Sequence, residues 1–261
     1  MTRRVKFQSS RVQFVEQDEH DTAGGLLLAR KHPVQSKSVQ RALSSSGPTS
    51  GPTSAKVRAM NFLAHLLLAG DDEGLRLGAL LGDFVRGNPQ GMNFSAATYR
   101  GILLHRFIDQ HTDSLPDVAR LRGHFQPPFR RYAGIIIDLA FDHELAKRWA
   151  EYSNSTLLQF DSEVRELLAR HREALPAGLI AFMRYADQRG LFAAYREESE
   201  ILFSLYGLGR RLSRSNPLHR VGEIWHEMRP ALSVGFSSVF PKVQQGVTAW
   251  LREPGLTPPG E

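Results

Sequence analysis

From residue 60 onward, apolar positions recur at helical spacing; the chain before it carries no such pattern. The segment Met60-Asn61-Phe62-Leu63-Ala64-His65-Leu66-Leu67-Leu68-Ala69 is apolar on nearly every side, as a buried helix is, with Asn61 as its expected cap. Gly70-Asp71-Asp72 ends it, and either aspartate can cap a second helix running from Glu73 to Val85. Gly87-Asn88-Pro89 stops that helix. Ser95 is the expected N-cap of a long helix over 96–113, and Ser114 that of the next, which Pro116 opens. Gln126-Pro127-Pro128 breaks the chain before a helix over 129–151, with Tyr132, Ile135, Ile136, Leu139 and His143 at helical spacing. Further helices are expected near 156–171, 176–187, 190–212 and 217–251, and Pro230 should kink or divide the last. After residue 60 no alternating strand pattern of useful length occurs. The predicted class is all-α, a single multi-helix domain over 60–252 with a flexible tail over 253–261.

Composition sets residues 1–59 apart. Val34 to Ala55 is rich in Ser, Gly, Pro, Thr and Gln, and a Gly-Pro-Thr-Ser unit repeats at 47–50 and 51–54. Such sequence buries too little apolar surface to offset chain entropy, so a disordered basic extension is expected. Two readings of it stand: a native extension, or sequence upstream of a natural start at Met60. The acidic cluster Glu16 to Asp21 argues against an organelle presequence, and Gly24 to Ala29 is too short for a secretory h-region. Residues 1–59 hold 10 Lys/Arg and four acids, a net +6, whereas the remainder balances 23 bases with 23 acids. The basic pI is therefore no argument for nucleic-acid binding by the helical part. There is no cysteine, which excludes disulfides, thiolate metal sites and thiol nucleophiles and agrees with a cytoplasmic location. No apolar run reaches the ~20 residues needed to span a bilayer, so no membrane partner is expected.

The candidate chemistry lies between Met60 and His143. His105 and Asp109 are four apart on one predicted helix, so they share a face, and Asp113 continues the row. Asp138 and Asp142 repeat that spacing on the 129–151 helix, with His143 beside them. Asp83 and His65 each sit among apolar residues. A lone His or Asp on an apolar helix is more often a hydrogen-bonded core residue or a cap than a ligand. Several together need a common partner, because burying unpaired charge is costly. A divalent metal supplies one, and mixed imidazole and carboxylate donors suit Mn²⁺, Mg²⁺, Fe²⁺ or Zn²⁺; with many carboxylates, Mn²⁺ or Mg²⁺ is favoured. Among the nearby arginines, Arg86 follows Asp83 by one helical turn and is the best candidate for binding phosphate, with Arg106 beside His105. His124, beside the Pro-rich turn, reads as structural. Trp225, Phe236, Phe240 and Trp250 read as core.

Four stretches, taken in order, resemble the acyl carrier protein phosphodiesterase family. They are Met60-Asn61-Phe62-Leu63-Ala64-His65, Gly82-Asp83-Phe84-Val85-Arg86-Gly87-Asn88-Pro89, His105-Arg106-Phe107-Ile108-Asp109 with Thr112-Asp113, and Asp138-Leu139-Ala140-Phe141-Asp142-His143. Each motif alone is weak; their combination and order are specific. The resemblance runs from Met60 to about residue 252 and has no counterpart in 1–59. It implies an all-helical fold distantly similar to HD-domain metal phosphohydrolases and a divalent metal, Mn²⁺ before Mg²⁺ or Fe²⁺. It also implies hydrolysis of the phosphodiester of holo-acyl carrier protein to apo-carrier protein and 4′-phosphopantetheine. Carried over residue by residue, Asp83, His105, Asp109, Asp142 and His143 form the metal and catalytic cluster, with His65 and Asp138 as further ligand candidates. Here the order is Asp-His at 142–143, not the His-Asp of HD proteins, which leaves open which group binds metal and which acts as base. Two rivals are a phosphohydrolase acting on a nucleotide or other small phosphodiester, and a non-catalytic helical module that binds carrier protein. Oligomeric state is not legible in the sequence.

Overall fold

The computed structural model describes residues 62–89 and 92–253. The expectations for 1–59, for the cap at Asn61 and for most of the tail lie outside those residues. Among the described residues every regular element is a helix: α1 (Phe62–Leu68), α2 (Glu73–Leu81), α3 (Ala96–Ser114), α4 (Pro116–Gly123), α5 (Ala133–Lys147), α6 (Leu157–Arg170), α7 (Ala177–Arg189), α8 (Glu198–Arg211) and α9 (Gly222–Arg252). Short 3₁₀ turns join several of them. No helix among the described residues is long and apolar enough to cross a membrane.

Local chemistry explains most boundaries. Asp72 accepts the Leu75 N–H at the start of α2, and Ser95 accepts the Thr98 N–H at the start of α3. Ser114 does not cap α4: its hydroxyl donates back to the His111 carbonyl, and Leu115 takes the N-cap place without a side-chain bond. The stretch 190–212 is not one helix. The Asp161 carboxylate of α6 accepts the Phe192 and Ala193 N–H groups, which holds 192–196 as a 3₁₀ turn ahead of α8. Conversely, α9 runs 31 residues without division although Pro230 and Pro241 lie inside it.

Phe62, Phe125, Trp149, Phe160, Phe192, Trp225 and Phe236 fill the core among Leu and Ile side chains. Phe240 joins them, whereas Trp250 is only partly buried, stacked on Phe107 at 5.8 Å. The closest helix pair is α2 against α3. A Cβ added at Gly78 would lie 2.2 Å from the Thr98 carbonyl oxygen, and one at Gly101 would lie 2.4 Å from that of Leu75. Only glycines let these backbones touch. That contact fixes where the end of α2 meets the middle of α3.

Candidate functional site

Two facing rows of side chains define the site. On α3, His105, Asp109 and Asp113 follow one another at four-residue spacing, and on α5, Gly134, Asp138 and Asp142 do the same. Arg122, ion-paired to Asp113, lies against Gly134; Asp138 feels the charges of Asp109 and Asp113. At the opposite end, Asp142 accepts the backbone N–H groups of Leu63 and Ala64 at 3.1 and 3.0 Å. It thereby holds the first turn of α1, and α1 lays the His65 ring on His105, with centroids 4.0 Å apart and planes 17° from parallel.

His105 is fully buried and its orientation is fixed. Its Nδ1 is 2.7 Å from the Ala79 carbonyl oxygen, to which it donates, so Nε2 carries the lone pair. That nitrogen faces Asp83 Oδ1 at 3.4 Å and Asp109 Oδ2 at 3.5 Å. Gly82 makes this placement possible, since a Cβ there would stand 2.2 Å from the ring's Cγ. Gly82→Ala should displace the ring and, on the metal-binding reading proposed below, lower Mn²⁺ affinity by about tenfold or more, the scale set by groups that orient a ligand. Isothermal titration with Mn²⁺ reads the loss; unaltered affinity would show that the ring adapts.

His65 Nε2 lies 3.2 Å from Asp109 Oδ1, but without hydrogen-bond geometry. Both ring nitrogens of His65, both carboxylate oxygens of Asp83 and Nε2 of His105 are buried with no hydrogen-bond partner. Unpartnered polar atoms from three neighbouring elements are costly unless something shared satisfies at least one atom of each residue. Burial, and then the neighbouring His105, lower the pKa of His65 and keep it neutral. Burial also opposes protonation of His105, but Asp83, Asp109 and the Ala79 carbonyl outweigh it and raise its pKa. The carboxylates thus draw positive charge to the face of two stacked imidazoles, and a bound cation answers the same field.

The donor chemistry fits a metal. His65, His105 and Asp109 each offer a ligand atom, all within 4.8 Å of one another, and together they could hold an ion. Asp83 adds a carboxylate on the His105 side. Two imidazoles and two carboxylates without sulfur suit a borderline or hard divalent ion.

The remaining candidates fall elsewhere. Asp142 is engaged with α1, its carboxyl pKa raised by burial to about 7 even though the Ala64 and Leu63 N–H groups favour the ionised form. It positions His65 and is not within the ligand group. His143 turns to the other side of α5, where its Nδ1 donates to the Tyr195 carbonyl at 2.7 Å and its ring meets Trp225 edge-on. Asp138 lies beside Asp109; burial first, then Asp109 and Asp113, raise its pKa well above the usual carboxylate range. Arg106 is committed to bracing the loop after Asp83, donating to the Val85 carbonyl at 2.9 Å. Arg86 is exposed on that loop, and α2 ends before it, so the helical turn expected between Asp83 and Arg86 is absent. Sequence reading missed the Ala79 carbonyl and Gly82; a Gly directly before an Asp at a helix end was the available signal.

The family model for acyl carrier protein phosphodiesterase matches residues 60–243. The chain belongs to that family. A relative from Escherichia coli with the same family name is 34% identical over 190 residues, covering 71% of this chain and 96% of its own. One from Yersinia pestis is 37% identical over 153 residues, 58% of this chain and 79% of the relative. One from Pectobacterium atrosepticum is 48% identical over 100 residues, 38% of this chain and about half, 51%, of the relative. No solved structure matches the chain, so the HD-domain likeness rests on the sequence resemblance alone. The matched stretch of this acyl carrier protein phosphodiesterase family member contains the whole ligand group and both facing rows.

Proposed function

We propose that the chain hydrolyses the phosphodiester joining 4′-phosphopantetheine to a serine of holo-acyl carrier protein, releasing 4′-phosphopantetheine and the apo form. The observation that carries this reading is the meeting of His65, His105 and Asp109, with Asp83 beside them and buried polar atoms of His65, Asp83 and His105 left without a hydrogen-bond partner, in a chain of this family. His65, His105, Asp109 and Asp83 would hold a divalent metal, Mn²⁺ before Mg²⁺ or Fe²⁺. Such an ion, when bound, lowers the pKa of water and stabilises phosphoryl charge.

The chain's own groups do the rest. Ala79 fixes the His105 tautomer, and Asp142 fixes the register of α1 and hence His65. Asp138, whose carboxyl pKa is raised by burial and then by Asp109 and Asp113, would be the proton donor beside Asp109. Arg86, exposed on the loop that carries Asp83, would meet a phosphate oxygen at the rim. A chain with no cysteine suits the reducing cytoplasm.

The test is to incubate the full chain with holo-acyl carrier protein, with Mn²⁺ or with EDTA, and weigh the carrier by intact-mass spectrometry. Loss of the phosphopantetheine mass only with metal is the expected result. An unchanged carrier mass with metal bound would shift the reading to a small phosphodiester substrate.

A further inference from the structure

The stretch 201–222 contains no Asp or Glu, yet it carries Arg210, Arg211, Arg214 and Arg220. Arg220 is taken by Glu223. The other three are exposed and make no ion pair among the described residues. Elsewhere on this fold Arg76, Arg120, Arg122, Arg148, Arg165 and Arg170 each hold a carboxylate. The trio is notable for its setting: it stands in a stretch that supplies no acid of its own.

The trio is not isolated. The loop after α8 reaches Tyr132, whose hydroxyl donates to the Ser215 carbonyl at 3.3 Å. Tyr132 closes the 3₁₀ turn that bears Arg130 and Arg131, both exposed and without an acidic partner among the described residues. That turn leads directly into α5, the helix that carries Asp138. Five guanidinium groups without a carboxylate among the described residues thus lie on the two segments that the Tyr132–Ser215 contact joins. The exposed face of α8 adds two aromatics, Phe203 and Tyr206, 39% and 43% exposed. An apolar hollow lined by Leu139, Phe182, Phe203 and Leu208 opens beside them.

From these features we infer that this face is the docking surface for the protein part of the substrate, and that it takes an acidic, amphipathic helix. Carboxylates on the helix meet Arg130, Arg131, Arg210, Arg211 and Arg214, and an apolar side chain from its other stripe enters the hollow. The inference rests on the reading that the substrate is a carrier protein. A nucleic acid fits less well. Stacking of bases needs open aromatic faces, whereas the Arg189 guanidinium lies 3.8 Å over the Phe203 ring and that of Arg210 lies 6.0 Å over Tyr206. The surface offers charge and an apolar socket, not bare stacking plates.

The test uses the full chain and its Arg210→Glu/Arg211→Glu variant. Both side chains are exposed and unpaired, so the thermal midpoint should not move. Three readouts are needed: binding of apo-carrier protein, Mn²⁺-dependent turnover of holo-carrier protein, and turnover of bis(p-nitrophenyl) phosphate. The expected result is a KM for holo-carrier raised by about tenfold or more and an equal loss of apo-carrier affinity, with the small diester unaffected. Raising ionic strength should erase most of the difference. Equal carrier turnover by both proteins overturns the docking surface and leaves the proposed reaction standing. Apo-carrier binding that the variant loses, with no cleavage of holo-carrier by either protein, overturns the reaction and leaves the surface standing. An unstructured single-stranded oligonucleotide that binds the wild type, and loses affinity in the variant while carrier protein does not, also overturns the inference.

Discussion

Asp83→Asn and His105→Gln should each lower turnover of holo-carrier protein by about a thousandfold or more, the scale on which a directly acting electrostatic group is felt, while far-UV circular dichroism stays helical. The argument turns on what each group does without substrate. Both oxygens of Asp83 are buried with no hydrogen-bond partner. A buried carboxylate with no hydrogen-bond partner, faced by the His105 Nε2 at 3.4 Å, is a burden on the fold, not a support. Metal-free Asp83→Asn should therefore melt at the same temperature as the wild type or higher. Adding Mn²⁺ should raise the wild-type midpoint and leave the variant unmoved, because only a native state with a complete site gains from the ion. For His105→Gln the apo protein should lose a little stability, since the bond to the Ala79 carbonyl goes with the ring. If Asp83→Asn costs stability in the absence of metal, the carboxylate is structural and the ligand assignment fails.

The second large effect concerns Asp142, which the sequence places among the catalytic candidates and the fold assigns to capping. Asp142→Ala removes the acceptor of two N–H groups, those of Leu63 and Ala64, and no neighbouring side chain replaces it. The loss should be about 3 kcal/mol, or roughly 10 °C in Tm for a domain of this size. Metal affinity should fall as well, because His65 lies one residue beyond Ala64 on the turn that loosens. The pH dependence has a definite sign. The folded carboxyl has a pKa near 7 against 3.8 for the free group, so between those values the folded state holds a proton that the unfolded chain has released. Its contribution is complete below pH 3.8, declines as pH rises, and is lost above about 7. Chemical denaturation of wild type and variant across pH 4–8 measures this as a difference; a pH-independent difference would show that Asp142 ionises normally.

Much of the fold was legible because its punctuation is local. Ser95 and Asp72 act within a few residues of their own position, and the helices they cap begin where the spacing put them, although α2 ends at Leu81 and not at the expected Val85. The pairing of His105 with Asp109 was legible for the same reason, being fixed by one helical turn. What escaped was non-local. α5 is apolar almost all round, so its sequence does not say which neighbour each polar side chain meets. Asp142 and His143, adjacent in sequence, leave it in different directions, one to α1 across 79 residues and the other to the Tyr195 carbonyl across 52. The break before α8 was hidden likewise, because the carboxylate that imposes it sits on α6. Arg106 shows the same limit on the rim: the sequence sets it beside His105, but only the fold reveals the Val85 carbonyl that occupies it.

The cap that Asp142 places on α1 also bears on how the protein assembles. Among the described residues α1 spans seven, far below the length at which a helix persists alone in water. Its first turn is completed by a carboxylate that arrives only when α5 has docked. His65 therefore takes its position after the long-range closure of the chain, not before it. The His65–His105–Asp109 group cannot pre-form in a nascent or partly unfolded chain, and its geometry exists only once the long-range contacts are made.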